Sequence, residues 1–423
     1  MTFKRADVLL PKFSSDSEKM KQWSVVACDQ YTSEPEYWNA VSEFVGEAPS
    51  TLRLTVPEIY LNDSDIEDRI KATNSVMADY MTADVFTEHK NTYIFIERTL
   101  KNGVKRLGIV GMVDLEDYDF SPDSQTKVRA TEGTVISRIP PRLKVRADAL
   151  VELPHIMLLI DDEVCEIIEK NSELTDTFTK VYDFDLMQSS GHITGYKMSD
   201  AACDRLDEKL AALENLEAFN AKYGVQKDSP LIFAMGDGNH SLATAKTHYE
   251  NLKKEIGEEA ASVSKARYAL CELVNLHDAS LEFEAIHRVI FDADGKAFLA
   301  ALEKEYQVSY DADAKGQSFV FVYDGKQQTV TILNSKEYLT VATVQKFLDS
   351  YIAENGGEVD YIHGEDVVCK LCENSANFGI ILEAMDKSDL YKSVILDGAL
   401  PRKTFSMGEA CDKRFYTEVR KIK

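Results

Sequence analysis

Pro230 to Glu250 reads P-L-I-F-A-M-G-D-G-N-H-S-L-A-T-A-K-T-H-Y-E. Leu231 to Met235 has the length and composition of a buried strand, and Leu242 to about Gly257, rich in Ala, Leu, Lys and Glu, predicts a helix. Between them lies a Gly-Asp-Gly turn with Asn239, His240 and Ser241 behind it. A strand running through a glycine turn into a helix start aims free backbone N–H groups at an anion. Gly236 and Gly238 can take backbone angles closed to other residues and let a ligand approach the main chain. Asp237 could hold a metal or accept a hydroxyl proton, and His240 could donate to a phosphate or act as acid or base. The plainer reading is a tight turn in which Asp237, Asn239 or Ser241 caps the helix.

Working outward, Ser24 to Cys28 reads as a buried strand with Asp29 to Tyr31 at its end, a usual place for working side chains in α/β sheets. Ser64 to about Met81 reads as a helix. Tyr93–Thr99 and Lys105–Asp114 read as strands around the turn Lys101-Asn102-Gly103. Arg129, Arg138, Arg142, Lys144 and Arg146 cluster within one stretch, and a helix across 141–152 would put several of them on one face. Arginine suits bidentate phosphate or carboxylate binding; an ion-paired helix face is the alternative. Asp161-Asp162-Glu163 is expected to begin a helix, Asp183 to Gly195 to form a hairpin or lid, and Ser199 to Tyr223 to form one amphipathic helix. His287-Arg288 could serve a site or stand at a strand end. Phe319–Tyr323 and Gln328–Leu333 form a second hairpin around Asp324-Gly325, followed by helices near 341–353 and 365–374. Arg402, Lys403 and Thr404 make a compact anion-binding candidate, with a charged surface turn as the alternative.

The chain of 423 residues is long enough for more than one domain, and 44% hydrophobic with 28% charged residues is ordinary for a soluble enzyme. Its 72 Asp and Glu against 48 Lys and Arg, a formal −24, disfavour a nucleic-acid or anionic-membrane surface. The N-terminal stretch lacks a signal-peptide pattern, and no apolar run nears the roughly 18 residues of a spanning helix. Seven scattered cysteines suit reduced thiols in a cytoplasmic protein. Cys369 and Cys372 form the one C-x-x-C, and without a second ligand pair they read as structural thiols.

Together these stretches resemble the domain of unknown function 1015 (DUF1015) family. Its central D-G-H-H-R-Y-x-A-A stands here as D-G-N-H-S-L-A-T-A. Its H-E-x-T with a following Arg is matched by Thr131-Glu132-Gly133-Thr134 and Arg138 or Arg142. Its V-N-x-x-D-x-x-L with H-R-x-I is matched by Val274-Asn275, Asp278, Leu281 and His287-Arg288-Val289-Ile290. A run like P-x-K-S-T-x-F is matched by Pro401-Arg402-Lys403-Thr404-Phe405. Two departures stand at the turn: Asn239 replaces the first His of the pair, and Ser241 replaces the Arg. Arg129, Arg138 or Lys246 would then have to supply the lost positive charge. More distantly, D-G-x-H-R before a helix is similar to the ParB and sulfiredoxin superfamily, which includes nucleotide-dependent free-serine kinases. That resemblance implies a phosphate loop of Gly236, Asp237, Gly238, Asn239, His240 and Ser241, with Glu132 or Asp29 as base toward a substrate hydroxyl.

The expected fold is α/β (α+β) with mixed sheets and a ParB/sulfiredoxin-like core. A main domain covers 1–292, and a smaller α+β region covers 293–423. The expected function is a phosphate- or nucleotide-binding enzyme acting on a small molecule, a phosphotransferase of the free-amino-acid kinase kind or a nucleotide hydrolase. Catalysis is assigned to Asp237, His240 and Glu132. Binding is assigned to Gly236, Gly238, Asn239, Ser241, Arg129, Arg138, Arg142, His287, Arg288, Arg402 and Lys403. Asp237 would hold Mg²⁺ beside a nucleotide or pyrophosphate. Neither nucleic acid nor membrane is an expected partner, and homo-oligomerisation stays open. A non-catalytic metabolite sensor is the alternative, favoured by Ser241 in place of the family Arg. The pieces at 24–31, 129–146, 236–241 and 275–288 are expected to converge on one pocket.

Overall fold

In the computed structural model, which describes residues 1–311 and 313–423, the chain forms two units. The first comprises residues 1–130, 134–281 and 408–423; the second comprises 131–133 and 282–407. The division from sequence at 292/293 differs in three places: residues 131–133 join the second unit, that unit starts earlier at 282, and residues 408–423 return to the first. The return is built from short pairings far apart in sequence. Phe415–Tyr416 pairs with Val25–Val26, and Arg420–Lys421 pairs with Val151–Glu152.

The first unit is organised on a ten-stranded mixed sheet. Its labelled strands are β1 (Ile94–Thr99), β2 (Lys105–Asp114), β3 (Val128–Arg129), β4 (Met157–Ile160), β5 (Thr179–Asp185), β6 (His192–Lys197), β7 (Phe233–Asp237) and β8 (Tyr268–Asn275). They lie in the order β5-β6-β1-β2-β8-β4-β7-β3, with Tyr118–Asp119 at the β3 edge and Phe3–Lys4 also on β2. β4 runs parallel to β8 and β7 parallel to β3, while β1–β2, β2–β8 and β4–β7 are antiparallel. Alternation along the strands sends side chains to opposite faces. Phe95, Ile109, Phe233, Met235 and Leu273 enter one buried cluster, and Ile94, Ile96, Val110 and Leu270 enter another. The helices used below are α1 (Ile139–Ala147), α2 (Asp200–Ala212), α3 (Leu216–Tyr223) and α4 (Asn239–Ile256).

Both predicted hairpins form: β1–β2, and Gln317–Tyr323 with Lys326–Ile332. Several local expectations change. The single helix over Ser199–Tyr223 is two, α2 and α3, because the Asn215 side chain caps α3 by accepting the Ala218 N–H at 2.9 Å. No α-helix starts at 161–163. Asp162 instead turns its carboxylate onto the N–H groups of Glu166 and Ile167, at 2.8 and 2.7 Å, the local bonding that competes with helix. The strand expected at Ser24–Cys28 shrinks to Val25–Val26, and that at Leu231–Met235 moves on to Phe233–Asp237. The helix over 141–152 starts and ends earlier, as α1, with Pro140 and Pro141 tolerated in its first turn.

The second unit holds a six-stranded sheet among its described residues. In it, His287–Phe291 lies between Glu358–Ile362 and Phe378–Ile381. Phe298, Phe321, Phe378 and Leu348 fill one side of that sheet. All seven cysteines are free, and no helix is long and apolar enough to cross a membrane among the described residues.

Candidate functional site

The glycine turn forms between β7 and α4. Gly238 sits at φ +80°, and a Cβ there would meet the Ile156 backbone at 2.9 Å and the His155 ring at 3.3 Å. Glycine is thus required both by the left-handed angle and by close approach. Asp237 folds back on the turn: its Oδ1 accepts the Gly238 N–H at 2.9 Å, and its Oδ2 lies 3.2 Å from Lys413 Nζ. The Ser241 and Leu242 N–H groups both reach the Gly238 carbonyl at 3.0 Å. No side chain caps α4.

Ser241 and His155 are in close polar contact, Oγ to Nε2 at 2.7 Å. His155 Nδ1 lies 2.8 Å from the Tyr416 hydroxyl, which also accepts the Cys28 N–H at 3.1 Å. Asp29 completes the group. Burial alone would raise its pKa, but His155, a 2.8 Å bond from Gln30, and Lys413 outweigh it and hold the carboxyl below its ordinary range. His240 accepts the Val135 N–H at Nε2, 3.3 Å away. Burial first, then Arg142 and Arg138, push its pKa down to about 4, with Asp29 acting the other way. At neutral pH it is an uncharged imidazole, able to exchange hydrogen bonds with a ligand but adding no positive charge.

The basic stretch divides by role. Arg142 pairs with Glu58 and donates to the Arg138 carbonyl at 2.6 Å; Arg146 pairs with Glu152 at 2.7 Å; Arg138 is exposed. Lys246 bonds the Leu115 carbonyl at 2.8 Å and Glu250 at 2.9 Å. Arg129 differs from all of these. It is 2% exposed, its Nε donates to the Thr126 carbonyl at 2.8 Å, and both terminal nitrogens are buried without a partner. Burial alone lowers its pKa, to about 10, so it remains a cation. It pairs in register with Ala234, and paired residues share a face of the sheet. Ala234 and Gly236 lie on that face of β7, and a Cβ at Gly236 would meet the Leu159 side chain at 2.9 Å.

Glu132, His287, Arg288, Arg402 and Lys403 belong to the second unit. Glu132 forms an isolated parallel bridge with Leu400. Arg288 is fully buried, and each of its three nitrogens has a partner: it donates to Gln345 Oε1 at 3.0 Å, to the Lys403 carbonyl at 3.0 Å, and to the Ile286 carbonyl. His287 Nδ1 accepts the Leu382 N–H at 3.3 Å, and burial lowers its pKa. Arg402 is exposed beside the Tyr361 hydroxyl, 3.3 Å from Nε.

Within the first unit the structure thus gathers Asp29, Arg138, Arg142, Asp237, His240 and Ser241. Sequence reading missed His155, hidden in an apolar run after Pro154, and Lys413 and Tyr416 near the chain end. No local spacing signals them, since they meet the turn only through the returning C-terminal segment.

Comparison with known proteins finds that residues 10–351 match the family described as "Protein of unknown function (DUF1015)". No curated protein matches. Among solved structures, a conserved hypothetical protein from Pyrococcus furiosus is 11% identical, covering 74% of this chain and 94% of that one, TM-score 0.36. A free serine kinase in complex with AMP is 11% identical, covering 74% and 90%, TM-score 0.38. SbnI with a C-terminal truncation, from Staphylococcus aureus, is 8% identical, covering 71% and 82%, TM-score 0.37.

Proposed function

The chain belongs to the DUF1015 family, and we propose that it is a phosphate- or nucleotide-binding enzyme acting on a small molecule, a phosphotransferase whose phosphate site is the β7–α4 turn. The observation that carries this is Arg129. A buried guanidinium with two unpaired nitrogens pays the cost of desolvation without return, and an oxyanion held by both would repay it. It stands at Ala234, just ahead of Gly236, Gly238 and the uncapped start of α4, whose first-turn N–H groups suit phosphate. It supplies the positive charge that Ser241 does not. Phosphoryl transfer asks mainly for positioning and charge, and Lys413, Arg129 and neutral His240 are suited to that. Asp29 would take the proton of an acceptor hydroxyl, a free amino acid such as serine being the first candidate. Mg²⁺ would arrive with the nucleotide and share Asp237 with Lys413.

Calorimetry with ATP, ADP and pyrophosphate, each with and without Mg²⁺, tests the reading. Binding that Arg129→Met weakens by about ten- to a hundredfold is expected, the loss of hydrogen bonds to a charged group of about 1.5–3 kcal/mol. No binding of any of the three would overturn it.

A further inference from the structure

Beside Ser241 and His155 lies a cavity of about 140 Å³ whose walls include Leu54, Met77, Val151 and Leu270. An engineered apolar cavity of about 150 Å³ in another protein takes up benzene, so this one suits a short acyl chain or a single ring. At its wall stand a hydroxyl, an imidazole 2.7 Å from it, and a third group 2.8 Å from the other imidazole nitrogen. Nucleophile, base and orienting group in that order are the parts of covalent acyl transfer.

We propose that Ser241 is a nucleophile toward short apolar acyl esters, with His155 as its base, Tyr416 holding the imidazole and the Leu54–Met77–Val151–Leu270 cavity receiving the acyl chain. The proton positions follow from the partners. The Cys28 N–H can only donate, so the Tyr416 oxygen already accepts. That oxygen can also accept His155 Nδ1–H, which leaves Nε2 free to take the Ser241 proton. As Oγ bonds the acyl carbon, the Ser241 proton passes to Nε2. The ester C–O bond then breaks, and the leaving alkoxide takes that proton. Water next attacks the acyl-serine, gives its proton to Nε2, and the acid leaves as Oγ regains a proton. The sum is ester plus water giving acid plus alcohol. The first-turn N–H of His240, which helix geometry leaves without an intrahelical acceptor, would serve the oxyanion.

The test uses the full chain without nucleotide, so its failure leaves the phosphate reading to its own experiment. A fluorophosphonate probe should label Ser241, located by peptide mapping. p-Nitrophenyl butyrate should be hydrolysed faster than the dodecanoate, and kcat should fall at least about a hundredfold in Ser241→Ala and in His155→Gln. Should His155→Gln fail to fold, Ser241→Ala decides, since it removes a single oxygen. Absence of label at Ser241, or equal hydrolysis by folded Ser241→Ala, overturns the proposal.

Discussion

Arg129 in the first unit and Arg288 in the second are both buried, and burial lowers the pKa of each to about 10. They differ in what surrounds them. Arg288 reaches a side-chain amide and two backbone carbonyls, and the Tyr361 ring lies 5.2 Å from it. Arg129 makes one bond, to the Thr126 carbonyl, and leaves two nitrogens bare. A buried cation is therefore no guide to function until its hydrogen bonds are counted. One guanidinium ties a unit together, and the other keeps two nitrogens without a partner among the described residues.

Substitution separates the two. Arg288→Ala should be the most damaging change, costing about 3–5 kcal/mol, because it opens a cavity and orphans Gln345 and the Ile286 and Lys403 carbonyls. Urea unfolding measures this, and a cost under about 1 kcal/mol would remove the contrast. Arg129→Met should do the opposite. It replaces a poorly satisfied buried cation by an apolar chain, so stability should hold or rise by about 1–2 kcal/mol while phosphate affinity falls. A large loss of stability would make Arg129 a second tie like Arg288.

The smallest effect sharpens the picture of the turn itself. The pKa of His240 is depressed in the folded chain, from 6.5 to about 4. Its contribution to stability is therefore complete above about pH 6.5 and is lost as pH falls toward 4, where the unfolded chain takes up the proton first. His240→Gln should flatten the decline of Tm across that window and leave Tm at neutral pH nearly unchanged. An identical decline in both proteins would mean that His240 is not held neutral.

What the sequence disclosed was mostly local. Asn102-Gly103 and Asp324-Gly325 announced their hairpins, since turn chemistry lies within a few residues. The Gly-Asp-Gly turn announced a strand entering a helix, and Gly238 is indeed left-handed. Helix ends were less readable, because Asn215 and Asp162 act through side-chain bonds whose geometry periodicity does not carry. The basic stretch looked uniform, yet Arg142 and Arg146 are ion-paired and Arg129 is bare. That distinction depends on Glu58 and Glu152, whose proximity only the folded chain creates. His155 and Tyr416 were invisible for the same reason.

The pairing of Phe415–Tyr416 with Val25–Val26 also bears on the order in which the protein can be made. Trp23 donates to the Thr417 carbonyl at 2.9 Å, and Arg414 joins Glu272 to Glu418 inside the first unit. Residues 408–423 must therefore be made before the first unit can close, although most of that unit precedes the second. The second unit, an insertion at 282–407 apart from the short piece 131–133, emerges whole beforehand. Early residues such as Trp23 and Val25 must wait, exposed, for the last ones. Truncation ahead of Phe415 would strand them, and the cell would meet the product as a substrate for chaperones and proteases.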